Sequence, residues 1–279
     1  MQEEIVVKAP TTEALTPAQI TQKAEDLGVT KTEMSFGRSF ALSIMAGAFI
    51  AMGAMFFSLV VGDPALPFAI QRVLGGFLFC LGLILVVVAG AELFTGNTMI
   101  VMTAASKRIK WSAVWKNWIV VFFGNFLGAL VIVGLIFLSD MSAMNGGQVG
   151  QTMVSVAAGK MHADWLVLFA KGIMCNFLVC LGVWMAYASK TVADKILAVV
   201  FPITAFVACG FEHCVANMFF LPMGALLASC GIAPAGIDPA SVNMLGALYN
   251  WSATVPGNIV GGAIMVGMMY WFIYRKKKN

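Results

Sequence analysis

The chain has 279 residues, of which 60% are hydrophobic and only 11% are charged. Soluble domains carry about 25% charged residues, so this composition excludes a water-soluble globular protein and predicts an integral membrane protein. The formal net charge is only +4, which gives no indication of a nucleic-acid partner.

The first 38 residues are polar and precede the apolar part of the chain. Thr16, Pro17 and Gln19 form the pattern of a helix N-terminus with a capping box. Ile20, Ala24 and Leu27 recur at i, i+4 and i+7, so we expect an amphipathic helix on the cytoplasmic face of the membrane. Such a helix either gates the membrane region at low pH or anchors the segment in the lipid interface, and both interpretations stay open.

Six apolar stretches follow the N-terminal segment. They comprise residues 39–61, 71–104, 115–138, 164–188, 195–228 and 250–274. A helix of about 20 residues crosses the hydrocarbon core, so the second and fifth stretches are too long for simple spans. Each of these two contains a polar, glycine-bearing stretch. The sequence therefore predicts an all-α membrane protein with six transmembrane spans, of which spans 2 and 5 are broken.

The basic residues predict the orientation. Most of the 17 lysines and arginines lie in segment 1–38, between spans 2 and 3, between spans 4 and 5, and in the basic tail 275–279. By the positive-inside rule these regions are cytoplasmic. We therefore expect a multi-pass protein of the cell (cytoplasmic, or inner) membrane with both termini in the cytoplasm and an external loop over 139–163.

Two motifs occur twice in corresponding places. Residues 90–97 and 210–217 both read G-x-E-x-x-x-x-N, and residues 117–128 and 250–261 both read N-W-x-x-x-x-x-G-N-x-x-G. The chain therefore divides into a first three-span repeat (39–138) and a second, inverted one (164–274). In inverted 3+3 repeats, broken helices meet near the membrane midplane and form the transport site.

Two glutamates lie inside the apolar spans, at equivalent positions of the two repeats. Glu92 and Glu212 each sit where a span is expected to break. We expect their oxygens to bind the free N–H groups of the next half-helix, with Asn97 and Asn217 as further polar anchors. All four residues are thus predicted to anchor the loops.

His213 is the only histidine in these spans, and its counterpart in the first repeat is Leu93. Histidine ordinarily titrates between about pH 5 and 8, so it suits proton exchange in a pore, although a buried structural histidine is the alternative. Thr95 offers a hydroxyl in the first loop. The cysteines and histidines show no ligand spacing, so neither a metal nor a cofactor is expected.

These motifs resemble those of the formate/nitrite transporter family, and most of all those of its formate channels, over nearly the whole chain. The resemblance rests on residues 91–95 in the first loop, on 210–213 and 216–218 in the second, and on the two N-W…G-N-x-x-G helices. It implies an aquaporin-like fold and a homopentamer in which each protomer has its own pore.

The resemblance also implies a pore path. Its residues are His213, Thr95, Leu93, Phe206, Leu83, Phe79, Lys160 and Asn176. The family pattern pairs Leu83 with Phe79 in an outer apolar constriction and Leu93 with Phe206 in an inner one, with the hydroxyl and imidazole between them. Lys160 corresponds to a vestibule lysine, and the asparagine to a pore-side amide.

The resulting hypothesis is a channel or transporter for small monovalent weak-acid anions, with formate first. Passage is expected to be proton-coupled or pH-modulated, with His213 and bound water passing a proton to the anion. The partners are then the anion, a proton and the lipid bilayer. Gly96 and Asn97 are more similar to hydrosulfide-type members, and Lys171 departs from the formate-type pattern, so nitrite and hydrosulfide remain alternative substrates.

Other function classes are less well supported by the residues. A channel for water or small neutral solutes would be expected to show paired N-P-A motifs and an arginine in a span, and an ammonium channel paired histidines. An enzyme would require a nucleophile, a metal cluster or a cofactor motif. The sequence predicts no catalytic residue and no enzymatic activity.

Overall fold

The computed structural model describes residues 13–275, and these form helices without strands. Residues 276–279 of the predicted basic tail lie outside the described part. The α-helices are α1 (Pro17–Glu33), α2 (Phe36–Val61), α3 (Phe68–Leu85), α4 (Phe94–Asn97), α5 (Val101–Ala105), α6 (Trp111–Leu138), α7 (Gln148–Met161), α8 (Trp165–Ala188), α9 (Val192–Ala208), α10 (Cys214–Ser229), α11 (Met244–Ile259) and α12 (Met269–Tyr274).

Five helical segments in the described part are long and apolar enough to cross a membrane. They are Phe36–Val61, Phe68–Gly90, Trp111–Leu138, Trp165–Ala188 and Met244–Tyr274. π-helical turns extend α3 to Gly90 and join α11 to α12. Several of these helices begin before the predicted apolar stretches. In α11 the added first turn is capped, because the Asn243 side chain accepts hydrogen bonds from the N–H groups of Leu245 and Gly246.

The two over-long apolar stretches each contain a non-helical segment. In the first, the chain leaves the helix at Gly90, is extended over residues 91–93 and re-enters a helix at Phe94. In the second, α9 ends at Ala208 and α10 begins at Cys214. The parts of the second stretch are helices of 17 and 16 residues, and each is shorter than a full membrane crossing.

Segment 139–163, predicted to be an external loop, contains a helix that the sequence analysis did not predict. Residues 148–161 form the 14-residue helix α7. Its buried positions recur with helical spacing, and they include Val149, Met153, Val154, Ala157 and Met161. The helix packs against α10, where Gly224 permits close approach because a Cβ at that position would collide with Ala157.

The helices that follow the N-terminal segment pack in the same way in both halves. A Cβ on Gly128 of α6 would collide with the carbonyl of Ile44 in α2. In the second half, a Cβ on Gly261 after α11 would collide with the carbonyl of Ile173 in α8. These glycines let the backbones touch, which is how membrane helices pack without a hydrophobic driving force.

Helix α1 is packed onto the protein. Its predicted start is confirmed, because the Thr16 side chain and Gln19 form both bonds of the capping box. Ile20 and Ala24 are buried, and a Cβ on Gly28 would collide with Thr103 of α5. The apolar stripe of α1 therefore faces protein in this structure, which does not favour an anchor lying with that stripe in lipid.

Candidate pore and anion site

The first loop is the extended segment 91–93 between α3 and α4. Gly90 ends the preceding helix with φ of +87°, a left-handed conformation that glycine adopts without strain. Ala91 and Leu93 then have extended backbone, and the N–H of Glu92 donates to the carbonyl of Leu42 at 3.2 Å. The chain thus places Leu93 and Thr95 at the start of a new helix in the protein interior.

The second loop repeats this geometry. Gly210 has φ of +72° after the end of α9, and residues 211–213 lead into α10. The N–H of Glu212 donates to the carbonyl of Lys171 at 3.2 Å. His213 has an extended backbone and occupies the N-cap of α10, where its side chain accepts from the N–H of Ala216.

Asparagines, and not the glutamates, bind the first free N–H group of each following helix. Asn125 Oδ1 accepts from the N–H of Phe94 at 2.9 Å, and Asn258 Oδ1 accepts from the N–H of Cys214 at 2.8 Å. The expectation that Glu92 and Glu212 fill this role is therefore wrong. An asparagine side chain can accept a hydrogen bond through its oxygen and donate one through its nitrogen, whereas an ionised carboxylate can only accept.

The glutamates instead form buried clusters with a lysine and an asparagine. Lys31 Nζ lies 2.7 Å from Glu92 Oε1, and the amide of Asn97 donates to Glu92 Oε2 at 2.7 Å. Lys31 Nζ also donates to Asn97 Oδ1 at 2.9 Å. All three groups of this cluster are thus paired, and α1 supplies its cation.

The second cluster has the same plan but one hydrogen bond fewer. Lys160 Nζ of α7 lies 2.9 Å from Glu212 Oε1, and Asn217 donates to Glu212 Oε2 at 2.7 Å. Asn217 Oδ1 is buried and has no hydrogen-bond partner among residues 13–275. Lys160 was expected in a vestibule, whereas the role of Lys31 was not foreseen.

Thr95 and His213 form a buried pair that joins the two loops. Thr95 Oγ1 lies 3.0 Å from His213 Nε2, and both residues are almost fully buried. His213 Nδ1 accepts from the N–H of Ala216 at 3.0 Å. Because a backbone N–H can only donate, the neutral ring must carry its hydrogen on Nε2 and donate it to the threonine.

Two cavities lie next to the loops that carry this pair. The Glu212 cavity has a volume of about 420 Å³ and is lined by Glu212, His213 and Lys160, among others. The Glu92 cavity has a volume of about 540 Å³, and its lining includes Glu92 and Lys31. Thr95 is fully buried and is not among the residues that line either cavity.

The apolar residues between the cavities are paired differently from the expected pattern. Phe79 and Phe206 line the Glu212 cavity and pack edge to face, with ring centroids 5.8 Å apart. Leu83 and Leu93 both line the Glu92 cavity. The members of each expected pair, Leu83 with Phe79 and Leu93 with Phe206, thus line different cavities. Leu83 lies one helical turn from Phe79 on α3, so the two side chains face different cavities.

Asn176 lies behind Thr95 and is not among the residues that line either cavity. It is fully buried, and its Nδ2 lies 3.1 Å from the Thr95 carbonyl and 2.7 Å from the Asn258 carbonyl. Its amide therefore holds the first loop against the second repeat. The pore-side role implied by the resemblance stays a prediction.

An arginine lies near the start of an apolar helix. Arg72 of α3 donates to the carbonyls of Val207 and Ala208 at 2.8 Å each, and so caps the C-terminus of α9. It also lines the Glu212 cavity. Its nitrogens satisfy carbonyl groups that the end of a helix leaves free.

Comparison with known proteins identifies the family. The model of the formate/nitrite transporter family matches residues 18–272. The chain belongs to this family. Family membership and the five long apolar helices make the chain a multi-pass membrane transport protein.

Relatives in the formate/nitrite transporter family match this chain over almost its full length. The chain is 38% identical over 275 residues to the formate channel FocA of Escherichia coli K12, which covers 95% of this chain and 96% of that relative. It is 39% identical over 264 residues to the formate channel FocA of Haemophilus influenzae, covering 91% and 93% of the two chains.

Solved structures of the family share the fold. A pentameric formate channel with formate bound superposes with a TM-score of 0.77 at 37% identity, covering 86% of this chain and 98% of that one. An FNT family ion channel superposes with a TM-score of 0.80 at 27% identity, covering 91% and 98%.

Proposed function

We propose that this protein is a channel for small monovalent weak-acid anions, with formate as its preferred substrate. The observation that carries the proposal is the buried Thr95–His213 pair, which lies between a cavity containing Lys31 and a cavity containing Lys160. Similarity to formate channels makes formate the first candidate. Nitrite and hydrosulfide remain alternatives of the same chemical class.

The architecture that we propose for this function is an inverted 3+3 repeat of six crossings. In it, α9 and α10 together form one crossing, interrupted at residues 209–213, and the segment from Phe68 to Ala105 forms its counterpart. The repeated glutamate, lysine and asparagine contacts of the two loops support this plan. We propose a homopentamer as well, because the similar solved channel is pentameric.

Thr95 and His213 supply hydrogen-bond donors where the anion loses its hydration. An unpaired charge that enters an apolar constriction loses its hydration at a cost of many kcal/mol. We propose that the Phe79–Phe206 and Leu83–Leu93 pairs form the two constrictions. The Thr95 hydroxyl has His213 as its only hydrogen-bond partner among the described residues, so its own hydrogen is available to an anion that passes between them.

We also propose that passage depends on pH through the imidazole ring. In the neutral ring, Nδ1 is occupied by the N–H of Ala216, so His213 acts as a donor only through Nε2. A second proton on Nδ1 would replace that cap bond and convert the ring into an acid that can protonate the anion. This assigns proton exchange to the imidazolium form of His213.

The test is flux through the purified protein in liposomes, measured for formate, nitrite, hydrosulfide, ammonium and water over a range of pH. We expect weak-acid anions to pass and formate to pass fastest. Water or ammonium flux without anion flux would contradict the proposal and support a channel for neutral solutes. Empty liposomes and liposomes with a heat-denatured sample serve as controls.

A further inference from the structure

The two halves place different side chains at one equivalent backbone position. The carbonyl of Leu42 accepts from the N–H of Glu92, and the carbonyl of Lys171 accepts from the N–H of Glu212, each at 3.2 Å. The carbonyl of the next residue accepts from the amide of Asn125 in the first half and of Asn258 in the second, each at 2.8 Å. These contacts equate Leu42 with Lys171 independently of any sequence alignment.

Both side chains face a cavity next to their loop. Leu42 lines the Glu92 cavity, and Lys171 lines the Glu212 cavity together with His213. The second half thus introduces a cation where the first half has an apolar side chain. Because the backbone contacts are the same in both halves, they do not require a lysine at this position.

The other cations of the Glu212 cavity already have partners. Lys160 forms an ion pair with Glu212, and Arg72 donates to the carbonyls that end α9. Lys171 Nζ forms neither a hydrogen bond nor an ion pair with any residue from 13 to 275. A cation without a counter-charge at the mouth of a low-dielectric passage raises the local concentration of anions.

We propose that Lys171 is an anion-recruiting residue that draws the anionic form of the substrate into the Glu212 cavity. The inference rests on the proposed anion-channel function and deepens it. Lys171 acts before the constriction of Phe79 and Phe206, so its charge sets the occupancy of the cavity and not the rate of passage through the pair. Its removal therefore changes the concentration at which flux saturates and leaves the maximal flux unchanged.

The experiment compares formate flux in proteoliposomes for the wild-type protein, Lys171→Leu, Lys171→Arg and Lys116→Leu. Leucine is the residue of the equivalent position in the first half, and arginine keeps the charge. Lys116→Leu removes one positive charge from an exposed position on α6 that lines neither the Glu212 nor the Glu92 cavity. Lys171→Gln, which keeps a polar side chain, is the second neutral variant in case the leucine variant does not fold.

We expect the neutral Lys171 variants to raise the half-saturating formate concentration about threefold to tenfold, with little change in maximal flux. In these variants the half-saturating concentration should also depend much less on salt. The comparison is between a low and a high ionic strength, at which the Debye length is about 30 Å and about 3 Å. Lys171→Arg and Lys116→Leu should behave like the wild type.

The experiment distinguishes a failure of the proposed function from a failure of the proposed role of Lys171. If the wild-type protein carries no formate, the proposed function is wrong. If the wild type carries formate and the neutral Lys171 variants keep its half-saturating concentration and salt dependence, only the role of Lys171 is overturned.

Discussion

At the scale of single residues, the most informative contact is the one that His213 makes with its own helix. The imidazole uses Nδ1 to cap α10 and presents Nε2 to Thr95. These two bonds fix the tautomer of the neutral ring. The same histidine thus has a structural role at one nitrogen and faces the proposed transport path with the other, so the two interpretations left open by the sequence are not exclusive.

Two substitutions of His213 separate these roles. His213→Asn keeps a good N-cap acceptor but cannot titrate, whereas His213→Phe loses both properties, and loss of a cap costs about 0.5–2 kcal/mol. We expect both variants to lose the pH dependence of formate flux, and only the phenylalanine variant to show a lower Tm. Flux between pH 5 and 8 and thermal unfolding check this. A wild-type pH profile in His213→Asn would contradict proton exchange at the ring.

Some residue roles could not be predicted from the sequence. The repeated glutamate and asparagine motifs located both loops, but they could not show that Asn125 and Asn258 bind the free N–H groups. That choice depends on how α6 and α11 cross the loops. The difference in depth between Phe79 and Leu83 could have been predicted, because residues four apart on a helix are separated by about one turn.

At the scale of elements, α1 links the N-terminal segment to the first loop. Its Lys31 pairs with Glu92, and Asp26 pairs with Arg108 at 2.7 Å in the loop after α5. Lys23 donates to the carbonyl of Tyr187 at 2.7 Å. Helix α1 therefore contacts both halves of the protein, and its displacement would leave Glu92 as a buried carboxylate without its cation.

The pH at which α1 could be released follows from the groups that hold it. Burial, and then the nearby Lys195 and Lys190, lower the pKa of Lys23 below its ordinary value. The free lysine binds its proton more tightly, so Lys23 disfavours docking below the docked pKa, and this penalty is lost as the pH rises from the docked pKa towards that of a free lysine, about 10.4. Lys23 therefore provides no means of releasing α1 at low pH.

A substitution at Gly28 tests whether the close contact with α5 holds α1 in place. A Cβ at Gly28 would collide with Thr103, and such overpacking costs about 1–3 kcal/mol. We expect Gly28→Val to increase tryptic cleavage within α1 by roughly tenfold or more. Gly37→Val is the matched control, because a Cβ there meets no atom within 4 Å. Equal cleavage rates in the two variants would show that this contact does not hold the helix.

The sequence predicted helices correctly where apolar residues form a continuous stretch. The long apolar helices and the capped start of α1 were predicted, because span length and capping are local properties. Helix α7 was missed, because its glycines and polar residues hide a buried face that exists only against α10. Its equivalence to α1 appears only in the structure, where each helix supplies the lysine of one glutamate cluster.

At the scale of the whole molecule, we expect the two cysteines that are exposed among the described residues to lie on the same side of the proposed membrane plane. Cys209 lines the Glu212 cavity, and Cys230 adjoins Gly231, which lines a surface cavity with Asp140. The other four cysteines are buried. From the positive-inside rule we expect the Glu212 side to lie outside the cell and Lys110, before α6, to lie inside it.

Labelling with a membrane-impermeant maleimide therefore tests the orientation. We expect intact cells to be labelled at Cys209 and Cys230, and the Cys209→Ser/Cys230→Ser variant to be unlabelled, because buried thiols are inert. Adding Lys110→Cys to that variant should restore labelling only after the cells are opened. Labelling of Lys110→Cys in intact cells, with protection of the native cysteines until lysis, would mean that the termini face outward. The Glu212 cavity, with Lys171, would then receive anions from the cytoplasm and not from the medium.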